Sequence, residues 1–415
     1  MRNIYFITSS FPFYPGEQFI EEEIVHLAGC DNFNVTIMPL TSNGNPRAVP
    51  QGVEVDLCLA NNRGILARVL ALRKLVFQKV FWREVAFVAH SGSARIKKMA
   101  ELVKLGTSLV CVSDALGTKI SEGLEKPVIY CYWNGAGAYS SVLYNSGHRS
   151  FYPVVSRVHR GDLYEEESKL NYLPFKRQFV NSMDVILSIS LDGKKYLEER
   201  FGVHPDRCVH LPLGVEVPAV MAAISSEHYI SVLSVSFLIP VKRIDRIIDA
   251  LELYAKENPN LNIKWRHIGG GPLDRRMKQY AEERLSGLDV DWRFLGEKTN
   301  EEVKRYYREF PVDVFINASE SEGVPVSIME AMSFGVPVIA PDVGGVREIV
   351  SPEVGELLSS NPGAYAISVG MTNISAGCKD WDFRKKSRER IVKSYNAAVN
   401  YKRLIEVLEQ VELPK

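Results

Sequence analysis

NASESEGVPVSIMEAMSFGVPVIAPDVGGVREIV, residues 317–350, lays out a strand end, a loop, a helix and a further strand in quick succession. An apolar strand closes at Asn317 and feeds a polar loop. Pro325 stands where a helix can begin, because its fixed φ suits the first turn and its missing N–H is no loss there. Residues 327–334 read as that helix, and Gly335-Val336-Pro337 opens a strand over 337–340. This puts Glu322 in the loop and Glu330 one to two turns into the helix. The helix start exposes unpaired N–H groups and a positive dipole end, a natural seat for a diphosphate. Gly323 removes the side chain that would block close approach. Taken singly, each glutamate reads more simply as a solvated charge; the spacing, the proline and the following Gly-x-Pro strand together point to a site.

The same alternation runs outward through the chain. Strands are expected at 3–8, 34–39, 109–112, 128–132, 154–157, 185–188 and 208–211, with a helix over 17–28. A second cycle begins near Tyr229, with strands at 229–237, 263–268, 290–295 and 314–317 and helices at 246–254, 275–285 and 301–309. Short apolar strands alternating with helices are the mark of doubly wound parallel sheets covered on both faces. The expected organisation is an α/β chain of two Rossmann-like domains, 1–214 and 229–390. A linker over 215–228 joins them, and a C-terminal helix over 391–415 is able to pack back on the first domain or stay on the second.

Composition agrees. At 415 residues the chain exceeds one hydrophobic core, and its 46% apolar and 24% charged residues are those of a globular protein. Fifty basic residues balance fifty acidic ones, which argues against a dedicated nucleic-acid binder. Six scattered cysteines form neither a disulfide framework nor a zinc spacing, as expected of a reducing cytoplasm. The N-terminus turns polar too early for a signal peptide, and no apolar run has the length of a membrane span.

The 317–350 segment resembles the donor-site signature of the retaining glycosyltransferases of family 4, which have the GT-B fold. That signature is Glu, seven residues, Glu, a Gly-x-Pro strand entry and Gly-Gly-x-x-Glu. Glu322 and Glu330 match the two glutamates, and Gly344, Gly345 and Glu348 the trailing element. The resemblance implies that Glu322 holds sugar hydroxyls and Glu330 the ribose, with Gly323, Val324, Pro325 and Val326 lining the donor. SVSFLIPVKRIDRIIDAL, 234–251, resembles the element whose lysine neutralises the donor diphosphate, at Lys242. An arginine usual five residues earlier is Phe237 here, and Arg243 is the nearest substitute. HIGGGPLDRRM, 267–277, resembles the Gly-x-Gly-Pro turn of the nucleotide pocket, through Gly270 and Gly271, and Leu295 stands at the strand end beside the base.

SRVHRGDLYEE, 156–166, resembles an element of a bacterial polysaccharide-assembly branch of that family. It implies that His159 reaches the donor sugar and that Arg157 and Asp162 support or face the acceptor. SSFPFYPGEQFIEEEI, 9–24, resembles the branch's first loop, with Gly16 and Glu17 on the acceptor side. A turn glycine followed by a dipole-favoured glutamate accounts for these two residues almost as well.

The resemblance implies a cleft between the domains, at the carboxyl ends of both sheets. It also implies transfer with retention from a nucleoside-diphosphate sugar to a glycan or lipid-linked saccharide, with no cofactor and no metal. A nucleotide-sugar epimerase and a non-catalytic nucleotide-sugar or glycan-binding protein are the competing classes. One further stretch stands out. Between 61 and 104, ten basic residues including Arg63, Arg68, Arg73 and Lys79 face only Glu84 and Glu101, interleaved with leucines, Phe77, Phe81 and Trp82. Two readings stand: an interfacial helix on anionic membrane lipid, or an amphipathic helix buried against the first sheet. No nucleic-acid partner is expected.

Overall fold

The computed structural model describes residues 1–14, 16–61, 64–92, 94–122, 127–147 and 151–411, and of Glu122 the backbone alone. Arg63 and residues 412–415 therefore lie outside the described residues. The chain forms two compact units, Met1–Pro212 together with the chain from Tyr401 onward, and Leu213–Asn400.

The first unit holds seven strands: β1 Arg2–Thr8, β2 Phe33–Pro39, β3 Glu54–Val55, β4 Val128–Cys131, β5 Val154–Val158, β6 Val185–Ser188 and β7 Cys208–His210. They pair in the order β3-β2-β1-β4-β5-β6-β7, every pair parallel. Ile4, Phe6, Ile129 and Tyr130 are fully enclosed, because helices cover both sheet faces and each strand must be apolar on both sides. The second unit holds six: β8 Tyr229–Val235, β9 Asn262–Ile268, β10 Val290–Phe294, β11 Val314–Ile316, β12 Val338–Pro341 and β13 Gly355–Leu358. Their order is β10-β9-β8-β11-β12-β13, again all parallel. In each sheet the chain order reverses once, between β1 and β4 and between β8 and β11. Loops at the carboxyl ends of the strands flanking such a reversal diverge and leave a crevice for ligands.

Three sequence expectations give way. Residues 109–112 are not a strand but part of the helix Arg95–Glu122. Leu102, Leu109, Val112, Leu116 and Ile120 recur at spacings of seven, three, four and four and are all buried, so the four-residue apolar run belongs to a helical stripe. The first helix spans Ile20–Ala28 rather than starting at residue 17, because Glu17 is left-handed at φ 56°. Residues 215–228, expected as a linker, pack on the second unit: Ala222 N–H donates to Phe334 O at 2.9 Å, and Arg384 Nη2 donates to Ala222 O at 2.8 Å.

The polar C-terminal stretch forms two helices, Trp381–Ser394 and Ala397–Gln410. From Tyr401 onward the second belongs to the first unit, where Tyr401 packs on His26 at 5.3 Å. Arg2 Nη1 donates to Leu408 O at 2.9 Å and Glu409 O at 2.7 Å, and Nη2 donates to Val411 O. A cation from β1 thus satisfies the carbonyls that the helix leaves unpaired at its end. Among the described residues no helix is long and apolar enough to cross a membrane.

Candidate active site

In the second unit the loops after β8, β11 and β12 are tied together by main-chain bonds. Glu320 N–H donates to Val241 O at 2.9 Å, and Gly345 N–H donates to Gly323 O at 2.7 Å. Within this frame Lys242 Nζ meets Glu322 Oε1 at 2.7 Å, across the β8/β11 reversal. Asn317, at the end of β11, donates from Nδ2 to the same Glu322 oxygen at 3.1 Å and accepts Ser319 N–H at 2.9 Å. The sequence drew attention to Lys242 and Glu322 but not to Asn317, whose only signal was its place at the strand end.

The helix that follows is Val326–Ser333, with Pro325 before it and no side chain capping its start. Its first N–H groups therefore remain available to an anion, as the proline suggested. Glu330 lies in the second turn of this helix and is buried, with the Tyr307 ring close enough to feel its charge. Glu322 and Glu330 thus occupy the loop and the helix as the spacing required.

The glycine turn is sterically obligatory. Gly269 has φ 145°, and a Cβ there would stand 1.8 Å from Ser236 O; Gly271 has φ 149°, with Leu238 O at 2.7 Å. Leu238 N–H bonds Gly270 O at 2.8 Å, and Gly269 N–H bonds Gly296 O at 2.9 Å, which brings the strand end at Leu295 beside the turn. Arg243 departs from its expected role. It sits at φ 49°, its guanidinium bonds both oxygens of Asp245 at 2.9–3.3 Å, and it also bonds Glu320. Two carboxylates already bond it, and Phe237, where the usual arginine is missing, is itself exposed.

Under the glycine turn His267 is completely buried, its Nδ1 2.9 Å from Ser234 Oγ, which in turn accepts from Trp265 Nε1 at 3.0 Å. Burial pushes its imidazole down to about 4. The folded state therefore keeps His267 neutral, whereas the unfolded chain takes up a proton near its ordinary value. Stability from this group is intact above pH 6.5 and is lost as pH falls toward 4. Urea unfolding followed by tryptophan fluorescence should show about 2 kcal/mol lost from the second unit between pH 7 and 5 on this account. His267→Gln should flatten that slope, and an equal slope in both proteins would contradict the assignment.

In the first unit the loops after β1, β4 and β5 flank the β1/β4 reversal. Gly16 at φ 98° and Glu17 at φ 56° fold the first loop back on itself. The Glu17 carboxylate accepts the N–H groups of Ser9, Ser10 and Phe11 at 2.5–3.1 Å and Trp133 Nε1 at 2.5 Å. Its oxygens are taken up in building the loop, so Glu17 shapes that loop rather than presenting an open carboxylate.

Arg157 requires a firmer correction. It is fully buried, with Nη2 3.0 Å from Glu23 Oε2, Nε 3.0 Å from Tyr130 Oη and Nη1 3.2 Å from Leu211 O. It can touch no acceptor; it is an internal ion pair whose hydrogen bonds offset its desolvation. Asp162 accepts His159 N–H and Asn134 N–H, each at 2.7 Å, while Lys176 Nζ bonds Asn134 Oδ1 at 2.9 Å and Asp162 O at 2.6 Å. Burial, partly offset by Lys176, raises the Asp162 carboxyl to about 6. Asp162 thus positions His159 rather than facing an acceptor. The buried Lys176 and the Trp133-Asn134 pair carried no sequence signal beyond the small-residue turn after β4.

His159 follows β5, its ring 4.7 Å from that of Tyr132 and 4.5 Å from that of Trp133. Burial, reinforced by the charge of Arg157, pushes its imidazole well below the ordinary range. Both ring nitrogens are enclosed without a hydrogen-bond partner among the described residues.

With this geometry in view, the comparisons are specific. Residues 223–390 match the family model described as glycosyl transferases group 1. Lys242, Glu322 and Glu330 all fall inside that stretch. Among curated proteins the chain is 27% identical over 253 residues to the amylovoran biosynthesis glycosyltransferase AmsK of Erwinia amylovora, covering 58% of this chain and 56% of that protein. It is 23% identical over 319 residues to the putative colanic acid biosynthesis glycosyltransferase WcaL of Salmonella typhimurium, covering 72% and 74%. The match thus spans little more than half the length of the Erwinia relative.

Among solved structures, the apo lipopolysaccharide outer core galactosyltransferase WaaB superposes with a TM-score of 0.68 at 16% identity, covering 98% of this chain and 99% of that one. Anabaena HepE in complex with UDP and glucose does so at 0.66 and 16%, covering 99% and 100%. These likenesses establish the fold as GT-B.

Proposed function

We propose that the protein transfers a sugar from a nucleoside-diphosphate sugar to a glycan or lipid-linked saccharide in surface polysaccharide biosynthesis, keeping the anomeric configuration and needing no metal. The observation that carries this is the Lys242–Glu322 pair at 2.7 Å beside the uncapped start of the helix Val326–Ser333. An ammonium group and free main-chain N–H dipoles together match a diphosphate, and the adjacent carboxylate matches sugar hydroxyls. Relatives named for amylovoran and colanic acid biosynthesis support the polysaccharide setting.

In the reaction the acceptor hydroxyl attacks the anomeric carbon from the face the diphosphate leaves. The C–O bond to phosphate breaks, and the hydroxyl proton passes to the departing phosphate oxygen. Lys242 and the helix dipole stabilise the charge that grows on the diphosphate. Before donor binding, Glu322 and Asn317 hold Lys242 extended toward that position. Once the diphosphate takes the ammonium, the carboxylate is released to the sugar. Glu330 takes the ribose, and the first unit, with His159 in its aromatic box, takes part in binding the sugar and the acceptor. The work is done in the cytoplasm, at the inner face of the membrane.

A thermal-shift screen against UDP, GDP, ADP and their sugars should single out one base, since a ligand bound to the native state raises its stability. Incubation of the matching nucleotide sugar with an acceptor, in chelator, should then give a glycoside of retained configuration by NMR. An epimerised nucleotide sugar, an inverted product or abolition by chelator would overturn the corresponding part of the proposal.

A further inference from the structure

The helix Ile65–Leu75 is apolar on two sides. Ala71 and Leu75 enter the core of the first unit, yet Ile65, Leu66, Val69 and Leu70 face outward, Ile65 being 83% exposed. At about 100° per residue these four form one broad outer stripe, with Arg73 inside it and Arg68 and Lys74 at its margins. The next helix, Lys79–Ala89, repeats the arrangement. Phe81, Glu84 and Val88 face inward, while Trp82 and Phe87 face out on either side of Lys79 and Arg83. Phe77 in the turn between them is 85% exposed, and Ile96, at the start of the helix Arg95–Glu122, is 87% exposed beside Arg95 and Lys97. Of the 22 large apolar side chains exposed among the described residues, ten fall within residues 65–96. Such density on one lobe marks a surface that something covers.

The charges say what covers it. Glu84 is buried and accepts Tyr172 Oη–H at 2.8 Å and Phe175 N–H at 3.1 Å, so it offers nothing to the outside. Asp114 is paired with Lys74 at 2.8 Å and Glu101 with Lys104 at 3.6 Å. Arg68, Arg73, Lys79, Arg83 and Lys97 remain without an ion pair among the described residues. A second copy of this face would bring cation against cation. Anionic lipid headgroups complement it instead, with the apolar and aromatic side chains entering the boundary beneath them and the basic chains reaching to the phosphates.

We propose that the outer face of residues 65–97 docks on an anionic lipid bilayer, with Ile65, Leu66, Phe77, Trp82 and Ile96 entering the interface. This contact depends on the surface alone and not on transfer chemistry, so it is tested without donor or acceptor. The full chain is floated with vesicles of phosphatidylglycerol and phosphatidylethanolamine, or of phosphatidylcholine, at low and high salt. The expected result is binding to the anionic vesicles only, weakened by salt. Ile65→Glu with Phe77→Glu, and separately Lys79→Glu with Arg83→Glu, should each lower the partition coefficient by roughly tenfold or more. These positions are exposed, and an unchanged melting temperature checks the fold of each variant. Absence of binding by the parent chain, or binding equal in parent and variants, would overturn the proposal. So would a stable dimer by light scattering that the Ile65→Glu, Phe77→Glu variant dissolves, because a second copy would then be the occupant.

Discussion

Lys242→Ala should lower the turnover of sugar transfer by about two orders of magnitude or more, the scale of losing one transition-state donor. Lys242 is the cation held within reach of the uncapped helix start, and Arg243, the next candidate, is already neutralised by Asp245 and Glu320. With Arg243 engaged in this way, the leaving diphosphate would develop its charge mainly against the helix dipoles. The variant should still fold, since removing Lys242 leaves Glu322 bonded to Asn317 rather than stranded. Steady-state rates with the base chosen by thermal shift are the measurement, and a turnover within a few-fold of the parent would remove Lys242 from the mechanism.

Arg157→Leu should act on stability instead. It leaves the Glu23 carboxylate fully buried without its cation, and breaking a buried pair from one side costs about 3–5 kcal/mol. Tyr130 still donates to Glu23 at 2.5 Å, but a single hydroxyl does not compensate a buried charge. Urea unfolding of the first unit reads the loss directly. Adding Glu23→Leu removes the stranded charge and should recover most of it. A residue that held an acceptor would behave in the opposite way, leaving stability alone and raising KM.

The two halves were not equally legible in the sequence. In the second unit the proposed chemistry rests on residues whose placement local spacing already dictates. Pro325 begins a helix, the glycines at 269 and 271 adopt conformations and approaches no other residue could, and Lys242 precedes a helix by two positions. In the first unit an arginine within a strand and a glutamate after a glycine are drawn inward by partners more than a hundred positions away. Arg157 pairs with Glu23 and Glu17 bonds Trp133, and no local pattern announces either contact. The apolar run at 109–112 misled for a related reason: four residues cannot distinguish a buried strand from about one turn of a buried helix. Residues 61–104 left two readings open, and the helix Ile65–Leu75 does not choose between them, having one side in the core and the other turned outward.

Because the chain from Tyr401 onward completes the first unit, the Leu213–Asn400 unit is topologically an insertion within it. During synthesis the inserted unit has emerged in full while its host still lacks the helix end that Arg2 caps. Assembly of the Leu213–Asn400 unit can therefore finish first, and the first unit closes only when Arg2 meets the helix end near Leu408.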